Sequence, residues 1–119
     1  MSRIVTKPWG QELIWCETER YAAKVLSINA GERLSLQTHN VKDEAIYVLK
    51  GCLRLETESD GELVEVLMYA GSHARIAPGT KHRFGAVTDC DVLEVSTPEL
   101  DDIVRHEDDY GRLVFKSVA

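Results

Sequence analysis

The sequence predicts an all-β domain of the sandwich or barrel kind. Three observations carry this: strand-like runs recur about every ten residues, turn formers separate them, and several runs alternate apolar with polar side chains. The runs cover 20–28, 33–39, 45–49, 53–56, 63–68 and 92–96. Between them lie Asn29-Ala30-Gly31, Lys50-Gly51, Asp60-Gly61, Ala70-Gly71 and Pro78-Gly79, so consecutive runs read as antiparallel neighbours, with Asp60-Gly61 suited to a tight hairpin. In 53–56, Leu53 and Leu55 oppose Arg54 and Glu56, and in 63–68 Val64 and Val66 flank Glu65. Both patterns suit strands with one wet face. The run at 33–39 is followed by the short connection Asn40-Val41-Lys42-Asp43, long enough to reverse the chain. His73 reads as a strand residue, and Pro78-Gly79 as a turn that delivers a further strand. From residue 99 the chain turns acidic, and a short helical or irregular tail is expected. Leu100, Ile103 and Val104 have the spacing of one helical face that could dock on the barrel.

Length and composition bound the function classes. A chain of 119 residues is the size of one ordinary domain, so 1–119 reads as a single unit. Its 44% apolar and 29% charged residues suit a folded globular domain, and a formal charge of -6 argues against nucleic acid as a partner. No apolar run approaches the roughly 20 residues of a membrane helix. The N-terminus is polar within a few residues, so a cytoplasmic, non-membrane protein is expected. Cys16, Cys52 and Cys90 are odd in number, widely spaced and form no CxxC pair. They read as free, buried thiols without chemistry.

Two clusters of polar residues carry the candidate chemistry. Gln37 and His39 stand two apart on a strand, so their side chains share a face. Glu44 opens the next strand after a chain reversal, and His82 follows the Pro78-Gly79 turn. If the four converge, two nitrogens and two oxygens face one point. That set suits one borderline divalent ion (zinc, manganese, iron, cobalt or nickel), whereas calcium would want more oxygens. Spacing alone does not bring the four together, and each taken singly also reads as an ordinary polar residue of a strand.

The same residues carry a family resemblance. Gly31, five residues, Gln37-x-His39, four residues, Glu44, six residues, Gly51 resembles the first cupin motif. Gly71, five residues, Ala77-Pro78-Gly79, two residues, His82 resembles the second, with Ala77 in the proline position and Ala86 where an asparagine is usual. Gln37 stands where most cupins have histidine, as it does in cupin-type phosphomannose isomerases. The segment Leu34-Ser35-Leu36-Gln37-x-His39, the opening Lys7-Pro8-Trp9-Gly10, and the ending from Asp101 to Arg112 resemble the type II mannose-6-phosphate isomerase domain. That domain is often fused to a guanylyltransferase, which 119 residues are not expected to include.

The resemblance implies a small double-stranded β-helix, or jelly-roll, barrel holding one divalent metal ion, zinc first, through Gln37, His39, Glu44 and His82. It implies an aldose–ketose isomerase taking mannose 6-phosphate to fructose 6-phosphate through an enediol. Arg112 and Lys42 are the expected catalytic residues, the latter two before Glu44. Arg105 and Lys81 are the expected cations for the phosphosugar. No general base is identifiable: His73 and His106 lie outside the motifs, and Asp101, Asp102, Glu107 and Asp108 read as organisers of the tail. The alternatives are a non-catalytic sugar or small-molecule binding cupin and, further off, a metal-dependent oxygenase, which would have histidine in place of Gln37. A metal-free epimerase would need a His/Asp pair that is not evident. A homodimer is expected, because a small barrel gains by covering its edge strands.

Overall fold

Eleven strands, and no helix, make up the described part of the chain in a computed structural model that describes residues 2–113. In chain order they are β1 (Arg3–Lys7), β2 (Gly10–Glu17), β3 (Ala22–Ile28), β4 (Leu36–Thr38), β5 (Glu44–Lys50), β6 (Leu53–Ser59), β7 (Glu62–Met68), β8 (His73–Ile76), β9 (His82–Ala86), β10 (Cys90–Ser96) and β11 (Val104–Glu107). They form a six-stranded sheet, β1-β2-β3-β10-β5-β8, and a five-stranded sheet, β11-β4-β9-β6-β7. Every strand pairing is antiparallel. Consecutive strands thus change sheets repeatedly, which is the jelly-roll solution to burying two sheet faces at once. Among the described residues the two sheets stay separate and do not join into one closed hydrogen-bonded ring.

The alternation read from the sequence becomes the core. Leu26, Ile28, Ile46, Val48, Ile76 and Val92 of the larger sheet meet Leu53, Leu55, Met68, Phe84 and Ala86 of the smaller one, all buried. Each such apolar side chain removed from water contributes roughly 1.5–3 kcal/mol. The Asp60-Gly61 hairpin forms as predicted. Ser59 pairs with Glu62 across a two-residue loop, and both Asp60 and Gly61 have positive φ (53° and 81°), the twist a tight hairpin needs.

Some expectations change. The run at 33–39 shrinks to β4, with Arg33 making only an isolated bridge to Gly85. The wet-and-dry alternation holds for β6 but fails for β7. Residues 62–67 are all exposed, because β7 is the last strand of its sheet and neither of its faces is covered. The helical face at Leu100, Ile103 and Val104 does not form. The chain turns at 99–102 and then runs extended as β11, pairing Val104 with Thr38 and Arg105 with Gln37. One helical turn would have fixed several residues for one hydrogen bond, whereas the open edge of β4 offers a ladder. All three cysteines are free, with Cys52 and Cys90 buried and Cys16 half-buried.

Candidate metal centre

The fold brings three of the predicted ligands to one point. Gln37 sits in β4 directly across from His82 at the start of β9, both on the buried face of the smaller sheet. Glu44 opens β5 on the facing sheet, and His39 lies just past β4 where the chain crosses between the two. The Gly79 N–H donates to the His39 carbonyl (2.7 Å), which clips the Pro78-Gly79 turn and hence His82 to the crossing that carries His39. The Nε2 atoms of His39 and His82 lie 3.7 and 3.3 Å from the two Glu44 carboxylate oxygens, and donor atoms of the three residues fall within 4.8 Å of one another.

Their hydrogen bonding argues that these atoms are set for an ion. The His39 Nδ1–H donates to the Asp102 carbonyl (2.5 Å) and the His82 Nδ1–H to the Thr80 carbonyl (2.9 Å). A carbonyl only accepts, so each ring carries a proton on Nδ1, and the neutral ring then turns the lone pair of Nε2 inward. Both inward Nε2 atoms and one Glu44 oxygen are buried with no partner, and the other Glu44 oxygen has only the Lys42 ammonium, at 2.9 Å. Three orphaned acceptors facing each other would cost on the order of 1–3 kcal/mol each. A divalent cation satisfies all of them at once. The Gln37 oxygen accepts a hydrogen bond from the Ser35 hydroxyl (2.8 Å), which fixes the buried amide beside the same group.

The electrostatics fit the same purpose. Burial pushes the Glu44 carboxyl up, yet contact with His82 and the charge of Lys42 outweigh it and hold the group well below the usual carboxylate range. Burial keeps the His39 imidazole below its ordinary value, so it is neutral at pH 7 as a ligand must be. Lys42 is buried, with its Nζ 2.9 Å from Glu44 and 3.2 Å from Glu94. Burial lowers its pKa, but the two carboxylates more than offset this and raise it, so it stays charged.

A cavity of about 390 Å³ opens beside this centre, and its lining includes Gln37, His39, Lys42, Arg105 and Arg112. Arg112 is braced by two bonds to the Asp108 carboxylate (2.9 and 3.0 Å) and lies over the Tyr110 ring. Arg105 has a buried Nε with no partner, and burial together with the nearby Arg112 charge lowers its pKa. Two guanidinium groups kept close at one cavity wall form a natural anion seat. Lys81 is not among the lining residues; it pairs with Glu58 at 3.5 Å. His106 sits on the surface against Thr38, and His73 stacks on Tyr47 on an exposed face, both away from the centre.

The family model for the C-terminal part of mannose-6-phosphate isomerase matches residues 1–108. The chain belongs to this family. Among curated relatives, it is 33% identical over 121 residues to the mannose-1-phosphate guanylyltransferase ManC of Salmonella typhimurium, covering 95% of this chain and 24% of that protein. It is 32% identical over 116 residues to the xanthan biosynthesis protein XanB of Xanthomonas campestris, with 92% and 24% covered. The chain therefore spans about a quarter of the length of these relatives. Among solved structures, the fold matches KdgF from Halomonas sp. (TM-score 0.69, 22% identity, 86% of this chain and 91% of that one). It also matches oxalate decarboxylase from Bacillus subtilis (TM-score 0.78, 15% identity, 88% and 30%). These likenesses establish the cupin fold of this family member.

Two kinds of site residue escaped the sequence reading. Asp102 reads in the sequence as an organiser of the tail; its carboxylate instead accepts the N–H groups of Asn40, Val41 and Lys42 (3.0, 2.7 and 2.9 Å), fixing the link between His39 and Glu44. Those bonds hold its pKa down at about 2. Glu12, Lys24 and Glu94 line the cavity as well. The available signal is a charge at the inward-facing parity of two largely apolar strands: Lys24 between Ala22 and Leu26, and Glu94 between Val92 and Ser96.

Proposed function

We propose that this chain is a metal-dependent aldose–ketose isomerase that interconverts mannose 6-phosphate and fructose 6-phosphate. The observation that carries the reading is the set of orphaned acceptors on His39, Glu44 and His82 beside a cavity that also holds Arg105 and Arg112. Family membership supports it. His39, Glu44 and His82 would hold the ion, with Gln37 beside them, and zinc, manganese, cobalt, nickel or iron all suit that donor set. When bound, such an ion supplies a Lewis acid that polarises the sugar carbonyl. Arg105 and Arg112 hold the phosphate and so fix the open-chain sugar in the cavity. The reaction moves the proton on C2 to C1 through an enediol, while the C2 hydroxyl proton leaves and the carbonyl oxygen at C1 gains one. Lys42, charged and buried beside Glu44, donates at the oxygen that becomes the C1 hydroxyl.

The test is to purify the chain, measure its metal, and follow mannose 6-phosphate conversion after reconstitution with each of the five metals. His39→Ala is expected to lose both bound metal and turnover, and His106→Ala to keep both. Metal bound with no turnover of any phosphosugar would favour the binding-only cupin, and oxygen consumption by the iron form would favour the oxygenase. The same reading carries a cytoplasmic location and a homodimer built on the exposed apolar edge strand β7, whose mass light scattering on the same preparation measures.

A further inference from the structure

Lys24 and Glu12 touch neither the metal ligands nor the arginine pair, and Glu94 meets the centre only through Lys42 at 3.2 Å, yet all three line the same cavity. Lys24 and Glu94 are opposite each other on β3 and β10, and Glu12 reaches in from β2. Lys24 is 6% exposed and Glu94 4% exposed. Burying three charges for stability alone is poorly rewarded, because the desolvation cost offsets the attraction unless the pairing is close. Here the pairing is loose. The Lys24 ammonium lies 3.4 Å from Glu12 and 3.6 Å from Glu94, and only the first is a hydrogen bond, a long one. Lys42, by contrast, sits at 2.9 and 3.2 Å from its two carboxylates. An ammonium has three protons to donate, so Lys24 keeps donors for something in the cavity.

The sign of the cluster restricts what that is. Glu12 and Glu94 flank Lys24, and Glu94 is shared with Lys42, so the carboxylates answer the ammonium charge and a phosphate or carboxylate gains less here than at the arginines elsewhere in the cavity. The sequence acceptor, donor, acceptor along Glu12, Lys24 and Glu94 instead matches a row of neighbouring hydroxyls, each of which both donates and accepts. Resting on the phosphosugar reading above, we infer that Glu12, Lys24 and Glu94 hold the neutral polyhydroxyl chain of the sugar, with Lys24 as a positioning donor to its oxygens. The cavity is then divided by chemistry: arginines for the phosphate, this cluster for the hydroxyls, the metal-competent triad for the carbonyl.

Binding distinguishes this from a structural role. The zinc-loaded full chain is titrated by calorimetry with inorganic phosphate and with mannitol 1-phosphate, which carries both the phosphate and the hydroxyl row. In the unaltered chain mannitol 1-phosphate is expected to bind more tightly than phosphate. Lys24→Met should weaken mannitol 1-phosphate at least about tenfold, the loss of a charge-assisted hydrogen bond, and leave phosphate affinity and zinc content unchanged. Equal losses on both probes, or none on either, would overturn the inference. If Lys24→Met does not fold, Glu12→Gln decides: it keeps Lys24 beside Glu94, and a loss confined to mannitol 1-phosphate supports the assignment while unchanged affinity for both probes removes it. Failure of the unaltered chain to bind either probe would instead bring down the phosphosugar reading, and this inference with it.

Discussion

Asp102 shows how one carboxylate can set the geometry of a site it does not enter. It collects three consecutive N–H groups from the link between His39 and Glu44, and its own carbonyl fixes the His39 ring. Asp102→Asn keeps one oxygen acceptor for three donors, so the link should loosen and metal affinity should fall about tenfold, within the range for partners that orient ligands. Because the folded carboxyl is held down at about 2 against an ordinary value near about 3.9, its stabilisation is present above about pH 4 and is lost as the pH falls towards about 2. Urea unfolding of both chains between pH 7 and pH 2 should therefore show a stability gap that closes on acidification. A gap that is constant with pH would mean that the charge contributes nothing. At this scale the ligand set was legible and its support was not. Gln37 and His39 share a strand parity, and Glu44 and His82 each follow a turn, so local spacing points to them. Asp102 lies some sixty residues along the chain from the loop it holds, a separation no local pattern encodes.

The glycines after β5 and β6 separate two reasons for keeping a turn residue. Gly61 has φ of 81° and open space around a built Cβ, so Gly61→Ala meets only the backbone cost of the left-handed region, about 1–2 kcal/mol. Gly51 has φ of 87°, and a Cβ there would lie 2.1 Å from the Asp89 carbonyl oxygen, so its turn must move or the neighbouring strand must yield. Gly51→Ala should cost well above about 3 kcal/mol, or leave no folded protein, where Gly61→Ala melts only modestly earlier. Comparable losses in urea unfolding would show that the close approach at Gly51 relaxes easily. Strands flanked by such turns and alternating in polarity, β3, β5, β6 and β10, were readable in the sequence. β1 and β2 were not: Pro8 interrupts the run, and Ile4, Glu12 and Trp15 mix characters because β1 is an edge strand with one open side. The stretch that leads into β11 imitates a helical face through Leu100, Ile103 and Val104, while the pairing of β11 with β4 is non-local.

For the whole molecule, the centre is also a stability device, since it joins the two sheets. Gln37 and His82 belong to the smaller sheet, Glu44 to the larger, and His39 to the crossing between them. Without an ion, the inward atoms of His39, His82 and Glu44 have no partner but the Lys42 ammonium on one Glu44 oxygen, and the two sheets meet there through that ion pair and the packing of the apolar core. An ion that binds the folded chain alone stabilises it by mass action, about 2.7 kcal/mol at a hundredfold excess over Kd. For a domain of this size that corresponds to a rise in melting temperature of roughly 10 °C. Zinc or manganese added to chelator-treated protein should therefore raise the melting temperature by about that much, and the chain carrying both His39→Ala and His82→Ala should not respond. That double variant has lost two of the facing acceptors, so in the chelated state it should melt no earlier than a cavity-forming change alone requires. A metal-induced rise that survives the double substitution would locate the ion elsewhere and detach the stability of the sheet-to-sheet junction from these residues.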